Sequence, residues 1–157
     1  MNKEETDKYY IGETFKLALN GKYTVHPNPM VGAVIVKNGK IMGQGYHLKP
    51  GSPHAEQEAI NDAGKSAHNS TLYINLEPCC HYGRTPPCSD LIIRSKIKRV
   101  VVSSLDPNPV VNGKSIEQLK RSGIEVKIGV LKDDAIKLNQ GFFNKFLLKR
   151  PSVTCKS

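Results

Sequence analysis

Residues 71–88 read Thr-Leu-Tyr-Ile-Asn-Leu-Glu-Pro-Cys-Cys-His-Tyr-Gly-Arg-Thr-Pro-Pro-Cys. The first six, rich in β-branched and aromatic side chains, form a strand-type run, and Pro78 then removes the backbone donor that a central strand would need. The chain therefore leaves its sheet near Glu77 and enters a loop carrying Cys79, Cys80 and Cys88. Residues 89–95 have helical spacing, so the Cys88 thiol stands at a helix entrance, where partial positive charge favours a thiolate. Upstream, Glu58, Ala59, Ile60 and Ala63 predict a helix closed by Gly64 after the turn-rich segment 45–53, which places His54 and Glu56 at a second helix entrance. Residues two apart diverge on a regular helix and converge more easily in its half-unwound first turn.

Working outward, residues 99–104 predict a buried strand, 115–121 a helix stopped by Gly123, and 124–130 another strand. This βαβαβ alternation implies parallel later strands. Residues 31–36 and 40–47 flank Asn38-Gly39, a strong two-residue hairpin signal, so an antiparallel pair opens the sheet. Ile11, Phe15, Ala18 and Leu19 predict a first helix capped by Thr6 or Asp7 and stopped by Gly21. Residues 133–149, with Ile136, Leu138, Phe142, Phe143, Phe146 and Leu147, predict a last one. The fold class expected is α/β, a mixed sheet with helices on both faces.

The motifs His54-Ala55-Glu56 and Pro78-Cys79 through Pro87-Cys88 bring an imidazole, two thiols and a carboxylate into one reading. Taken singly, the cysteines read as buried thiols and the histidine as a solvated loop residue. Taken together, and in this order, they form a catalytic zinc set: His54, Cys79 and Cys88 as three ligands, with the fourth tetrahedral position open to water. Zinc acidifies such a water towards neutral pH. Glu56, two residues from the histidine, is the expected proton carrier, and an H-x-E plus P-C pairing marks zinc deaminases in which the glutamate is not a ligand.

The 157 residues suit one domain with a real core. The N-terminus, Met1-Asn2-Lys3-Glu4-Glu5-Thr6-Asp7, lacks an apolar leader, and no stretch is long enough to cross a bilayer, so a reducing, cytoplasmic setting without a membrane partner is expected. The formal net charge of +9 suits a phosphorylated or polyanionic partner. The lysines are scattered and form no basic block, which argues against a nucleic-acid surface. Homo-oligomerisation is left open.

The strings H26-P-N-P-M-V-G-A-V-I-V36, G45-Y-H47, H54-A-E56, L76-E-P-C-C-H-Y-G-R-T-P-P-C88 and D106-P-N-P-V-V-N-G113 closely resemble the deaminase half of the bacterial bifunctional riboflavin-biosynthesis deaminase/reductases. The resemblance covers nearly the whole chain. The short P-C-x-x-C of cytidine and tRNA adenosine deaminases is absent, and the long cysteine loop is typical of the riboflavin family. The resemblance implies a cytidine-deaminase-like three-layer α/β/α fold with a five-stranded mixed sheet. It also implies a zinc-dependent loss of ammonia from 2,5-diamino-6-(5-phosphoribosylamino)pyrimidin-4-one. Matched to the family pattern, Asn28 and His47 would contact the pyrimidine or its substituents, and Arg84, Asp106 and Asn108 would hold the ribose phosphate end. His26 and His81 would help shape the pocket, while His68 reads as a surface residue. Cys80 stands where the family often has serine and is expected to leave the metal to its neighbours. Residues 1–150 are expected to form the deaminase domain and 151–157 a short tail, with the product passed to a separate reductase polypeptide. Deamination of cytidine, another nucleotide or a tRNA adenosine is the alternative enzyme reading. A closed zinc module binding nucleic acid is the alternative binding reading, and it needs Cys80 or His81 as a fourth ligand.

Overall fold

The computed structural model describes residues 1–80 and 86–147. Its five strands are β1 (Gly32–Lys37), β2 (Lys40–Tyr46), β3 (Thr71–Leu76), β4 (Arg99–Ser104) and β5 (Glu125–Ile128). Its six α-helices are α1 (Lys3–Ala18), α2 (Ala55–Ala63), α3 (Cys88–Arg94), α4 (Lys114–Arg121), α5 (Lys132–Leu138) and α6 (Gln140–Leu147). The strands lie in the order β2-β1-β3-β4-β5. β1 runs antiparallel to β2 and β3, and β3, β4 and β5 are parallel, which is the mixed sheet expected. Asn38 and Gly39 both take positive φ in the β1–β2 turn, as a two-residue hairpin of this type requires.

Alternation along the strands sorts the core into two layers. Ala33, Ile35, Leu72, Ile74, Val100 and Val102 face α2, α3 and α4, packing with Ala55, Ala59, Ile60, Ile92, Ile116 and Leu119. Val34, Val36, Tyr73 and Val101 point the other way, against Tyr10 and Ile11 of α1 and against Val130.

Three expectations about boundaries need correction. α1 starts at Lys3, because Asn2 accepts from the Glu5 N–H at 2.8 Å while Glu5 returns a bond to the Asn2 N–H, a reciprocal cap. Asp7, one of the two residues read as that cap, is instead inside the helix and fully buried. It receives both terminal nitrogens of Arg99 at 2.8 Å and the Tyr73 hydroxyl at 2.9 Å, so the acid near the helix start serves tertiary pairing. The segment 133–149 is not one helix: it breaks at Asn139, whose side chain is spent on Met30. The last strand is also shorter than 124–130, ending at Ile128 before a positive-φ Gly129.

β2 decides how the site is built. Gly43 and Gly45 are buried beneath α2, whose facing side is Ala55, Ala59 and Ala63. A Cβ added to Gly43 would lie 2.6 Å from the Ala63 nitrogen, and one on Gly45 would lie 2.8 Å from the Ala55 oxygen and the Ala59 nitrogen. The helix backbone therefore rests directly on the strand, and α2 is held with its entrance at the carboxyl end of β3, where open α/β sheets keep their ligand crevices.

Candidate active site

His54 is the N-cap residue of α2, in an extended conformation with φ −72° and ψ 161°. This step out of the helix turns its imidazole towards the cysteine loop while Glu56, two residues on, points into the protein. Cys88 is the first residue of α3 after Pro87, one position deeper than the spacing alone indicates. Cys79 follows the Pro78 stop and is fixed from both sides. Its carbonyl accepts from the Ser89 N–H at 3.1 Å, and its Sγ accepts from the Cys88 N–H at 3.2 Å. Two helix entrances thus meet across one point.

The Nδ1 of His54 lies 3.3 Å from Cys88 Sγ and 3.8 Å from Cys79 Sγ. All three donor atoms fall within 4.8 Å of one another. Tetrahedral zinc with bonds of about 2.1 Å to nitrogen and 2.3 Å to sulfur sets its ligands roughly 3.6–3.8 Å apart, so the arrangement fits that ion with little adjustment. Among the described residues, Cys80 does not join this group. His81, the other fourth ligand the closed zinc module could use, lies outside the described residues.

The electrostatics follow from proximity and burial. The hydrogen bond from the Cys88 thiol holds Cys79 down at about 4, with His54 reinforcing it against burial. Cys88 is pushed far up by its thiolate neighbour and by burial. The bond to Cys79 raises His54, burial opposing. Glu56 is 3% exposed, and burial, followed by the charge of Cys79, lifts its carboxyl to about 7. A carboxyl poised there both accepts and releases a proton near neutral pH.

These groups open on a cavity of about 230 Å³, lined also by Asn28, His47, Glu77, Asp106 and Phe142 among others. His47 is buried, and its two ring nitrogens have opposite duties. Nδ1 faces the Pro53 carbonyl at 3.2 Å, which makes it the donor, so Nε2 accepts from Asn28 Nδ2 at 3.0 Å. Burial, with the charge of His54 adding and the Pro53 carbonyl opposing, lowers its pKa and keeps this neutral tautomer. Of the residues read as substrate contacts, Asn28, His47 and Asp106 therefore border the cavity. Asn108 lies in the same loop as Asp106, but its Oδ1 accepts from the Val110 N–H at 3.0 Å and it is not part of the cavity wall. Arg84 lies outside the described residues. His26 is exposed and away from the cavity wall, and His68 is exposed as expected.

Glu77, read from the sequence only as a strand end, proves central to the wall. Its buried carboxylate accepts from the Asp106 N–H at 3.1 Å, the Gly113 N–H at 3.0 Å, the Ser115 N–H at 3.3 Å and the Ser115 hydroxyl at 2.8 Å. The loop after β4 is thereby tied to the strand that delivers Cys79. Asn75, Asn139 and Phe142 were likewise not singled out for the site by the sequence. An asparagine inside a strand of otherwise apolar character was the available signal for the first.

Residues 4–104 match the family described as the cytidine and deoxycytidylate deaminase zinc-binding region. The chain is 55% identical over 152 residues to the riboflavin biosynthesis protein RibD of Aquifex aeolicus, a match covering 97% of this chain and 43% of that one. It is 52% identical over 139 residues to the diaminohydroxyphosphoribosylamino-pyrimidine deaminase of Buchnera aphidicola, covering 88% and 95%. A crystal structure of the diaminohydroxyphosphoribosylaminopyrimidine deaminase/5-amino-6-(5-phosphoribosylamino)uracil reductase of Thermotoga maritima superposes with a TM-score of 0.89 at 44% identity, over 96% of this chain and 44% of that one. The chain thus spans less than half of two of these relatives and nearly all of the third. With its histidine and cysteines converged at two helix entrances and most of its length matched, the chain belongs to the cytidine and deoxycytidylate deaminase zinc-binding family and, within it, to the riboflavin-biosynthesis deaminases.

Proposed function

We propose that the protein converts 2,5-diamino-6-(5-phosphoribosylamino)pyrimidin-4-one and water into 5-amino-6-(5-phosphoribosylamino)uracil and ammonia. The observation that carries this reading is the His54–Cys79–Cys88 cluster beside the buried Glu56, with His54, Cys79 and Glu56 lining one cavity. His54, Cys79 and Cys88 would hold a zinc ion, which when bound supplies Lewis acidity that makes water a nucleophile near neutral pH. Glu56 takes one proton of the attacking water and passes it to the ring nitrogen next to the reacting carbon, then takes the proton left on the attacking oxygen and delivers it to the departing amine. Its burial excludes bulk water from that relay, and a pKa of about 7 balances the two transfers.

Asn28 is oriented by its bond to His47, which leaves its Oδ1 to accept from an exocyclic amino group of the ring. Asp106, whose backbone N–H Glu77 holds at the cavity wall, would contact the ribose phosphate end, and Asn108, outside the wall, donates its N–H to the Asp106 side chain. Arg84 supplies a planar cationic fork for the phosphate itself. The product is the substrate of a reductase, the activity that the name of the Thermotoga relative joins to deamination.

The test is ammonia release by zinc-loaded protein offered the diaminopyrimidine phosphate, dCMP and cytidine in parallel. Turnover of the first alone is expected. Turnover of dCMP or cytidine without it would overturn the assignment in favour of the nucleotide alternative.

A further inference from the structure

The stretch shared with cytidine and deoxycytidylate deaminases, residues 4–104, contains His54, Glu56, Cys79, Cys88, Asn28 and His47. Three residues of the cavity wall lie beyond it: Asp106, Val111 and Phe142. The metal ligands and Glu56, the machinery common to zinc deaminases of different substrates, do not by themselves tell those rings apart, so discrimination draws on the rest of the wall, the residues beyond 104 included. Of the three, Phe142 alone brings a flat aromatic surface, and it does so from α6, far away in sequence.

The placement of α6 is set by specific bonds. Asn139, at the break between α5 and α6, accepts from the Met30 N–H at 2.7 Å and donates to the Met30 carbonyl at 2.8 Å. From the other side Asn75 donates to the same carbonyl at 3.0 Å and accepts from the Gly32 N–H at 2.8 Å. The segment leading from Asn28 into β1 is thereby clamped between β3 and the start of α6. The Phe143 N–H donates to the Asn139 carbonyl at 3.0 Å, and Phe143 is itself buried. With one face of α6 so fixed, Phe142 is turned into the cavity of Glu56 and is backed by Phe146, ring centroids 5.5 Å apart at 76°.

We propose that Phe142 is a specificity-determining residue for the pyrimidine ring, with Asn139 as its positioning residue. The inference rests on the deaminase reading above. The phenyl face completes the apolar side of the cavity formed by Pro29, Val31, Leu76 and Val111, and stacks on the amino-substituted ring while polar groups opposite read its edge.

The experiment measures zinc content, kcat and KM for ammonia release from the diaminopyrimidine phosphate. It compares the full chain with Phe142→Ala, Phe142→Leu, Asn139→Ala and the Phe142→Ala/Asn139→Ala pair. Phe142→Ala is expected to raise KM by about tenfold or more, the scale of a lost pocket contact, with kcat within about threefold and zinc retained. Phe142→Leu, which keeps apolar bulk without a flat face, is expected between the two. It carries the test alone should the alanine variant not fold: a raised KM supports the inference and an unchanged one overturns it. Asn139→Ala should raise KM in the parent and add nothing once Phe142 is gone. A lowered melting temperature with KM unmoved, or effects of the two residues that simply multiply, would overturn the proposal. Absence of ammonia release by the unaltered chain would bring down the deaminase reading itself, whereas an active parent indifferent to Phe142 would bring down only this inference.

Discussion

Glu56 combines deep burial with proximity to a thiolate, and both lift its carboxyl into the range where it can hold a proton for part of each cycle. Replacing it with glutamine keeps volume and hydrogen-bonding atoms and removes the titration. Glu56→Gln is expected to bind zinc as the parent does while kcat falls by at least about two orders of magnitude, the scale of positioned acid–base catalysis. Metal analysis alongside turnover checks it, and substantial residual activity would count against the role. Glu77 acts at one remove. Four donors converge on its carboxylate, and Glu77→Ala leaves them without an acceptor. At roughly 1–3 kcal/mol for each buried group left unsatisfied, some regained through water, a loss of at least about 2 kcal/mol is expected in denaturant unfolding. KM should rise with it, because the Asp106 loop loses its tie to β3. A variant as stable as the parent would show that water replaces the carboxylate.

At the scale of elements, the position of α2 governs the site, and two glycines govern α2. Gly43→Val would drive a branched side chain into the backbone of α2 at Ala59 and Ala63, atoms that cannot move aside as a flexible side chain can. The expected result is a destabilisation of roughly 1–3 kcal/mol or more, the range for overpacking, together with weakened zinc retention as His54 is lifted from the cysteines. Equilibrium unfolding and metal content after dialysis measure both, and an unaffected metal content would separate the helix from the site. This contact also shows where reading the sequence stops. The buried strands β3 and β4 announce themselves by composition, and their bounds coincide with the runs 71–76 and 99–104. The placement of His54 and Glu56 at a helix entrance is equally legible, since turn residues precede them and apolar periodicity follows. What could not be read was any contact that needs the third dimension. Asp7 looks like a cap until Arg99 arrives beside it, and Asn139 looks like helix interior until Met30 claims its amide. Phe142 and Phe143 are neighbours of one type, and only packing decides which faces the cavity.

Across the whole molecule, Asp7, Tyr73, Arg99, Lys127, Glu125 and Lys3 form a charged seam that fastens α1 to β3, β4 and β5. Burial works to raise the Asp7 carboxyl, but hydrogen bonds from Arg99 and Tyr73 and the charges of Arg99 and Lys127 outweigh it and hold it below its usual 3.8. A carboxyl with a depressed folded-state pKa stabilises fully above its unfolded value and loses that contribution as pH falls through the folded one. The seam is therefore intact at neutral pH and drains below about pH 4. Asp7→Asn is expected to cost roughly 3 kcal/mol at pH 7, as for a broken buried pair, and to lose less further stability than the parent between pH 4 and pH 2.5. Chemical unfolding at the three pH values checks this, and parallel pH profiles for the two proteins would show that Asp7 is not responsible. The seam also bears on how the chain is made. Asp7 and Arg99 are 92 positions apart, so on a translating ribosome the first helix emerges roughly 5–20 s before its counter-charge at ordinary elongation rates. During that interval α1 can close only on β1, β2 and β3, where its buried acid finds the Tyr73 hydroxyl but neither Arg99 nor Lys127. The ionic part of the α1 contact waits on β4 and β5, so a nascent chain arrested before Arg99 holds α1 by its apolar face with the Asp7 charge still uncompensated.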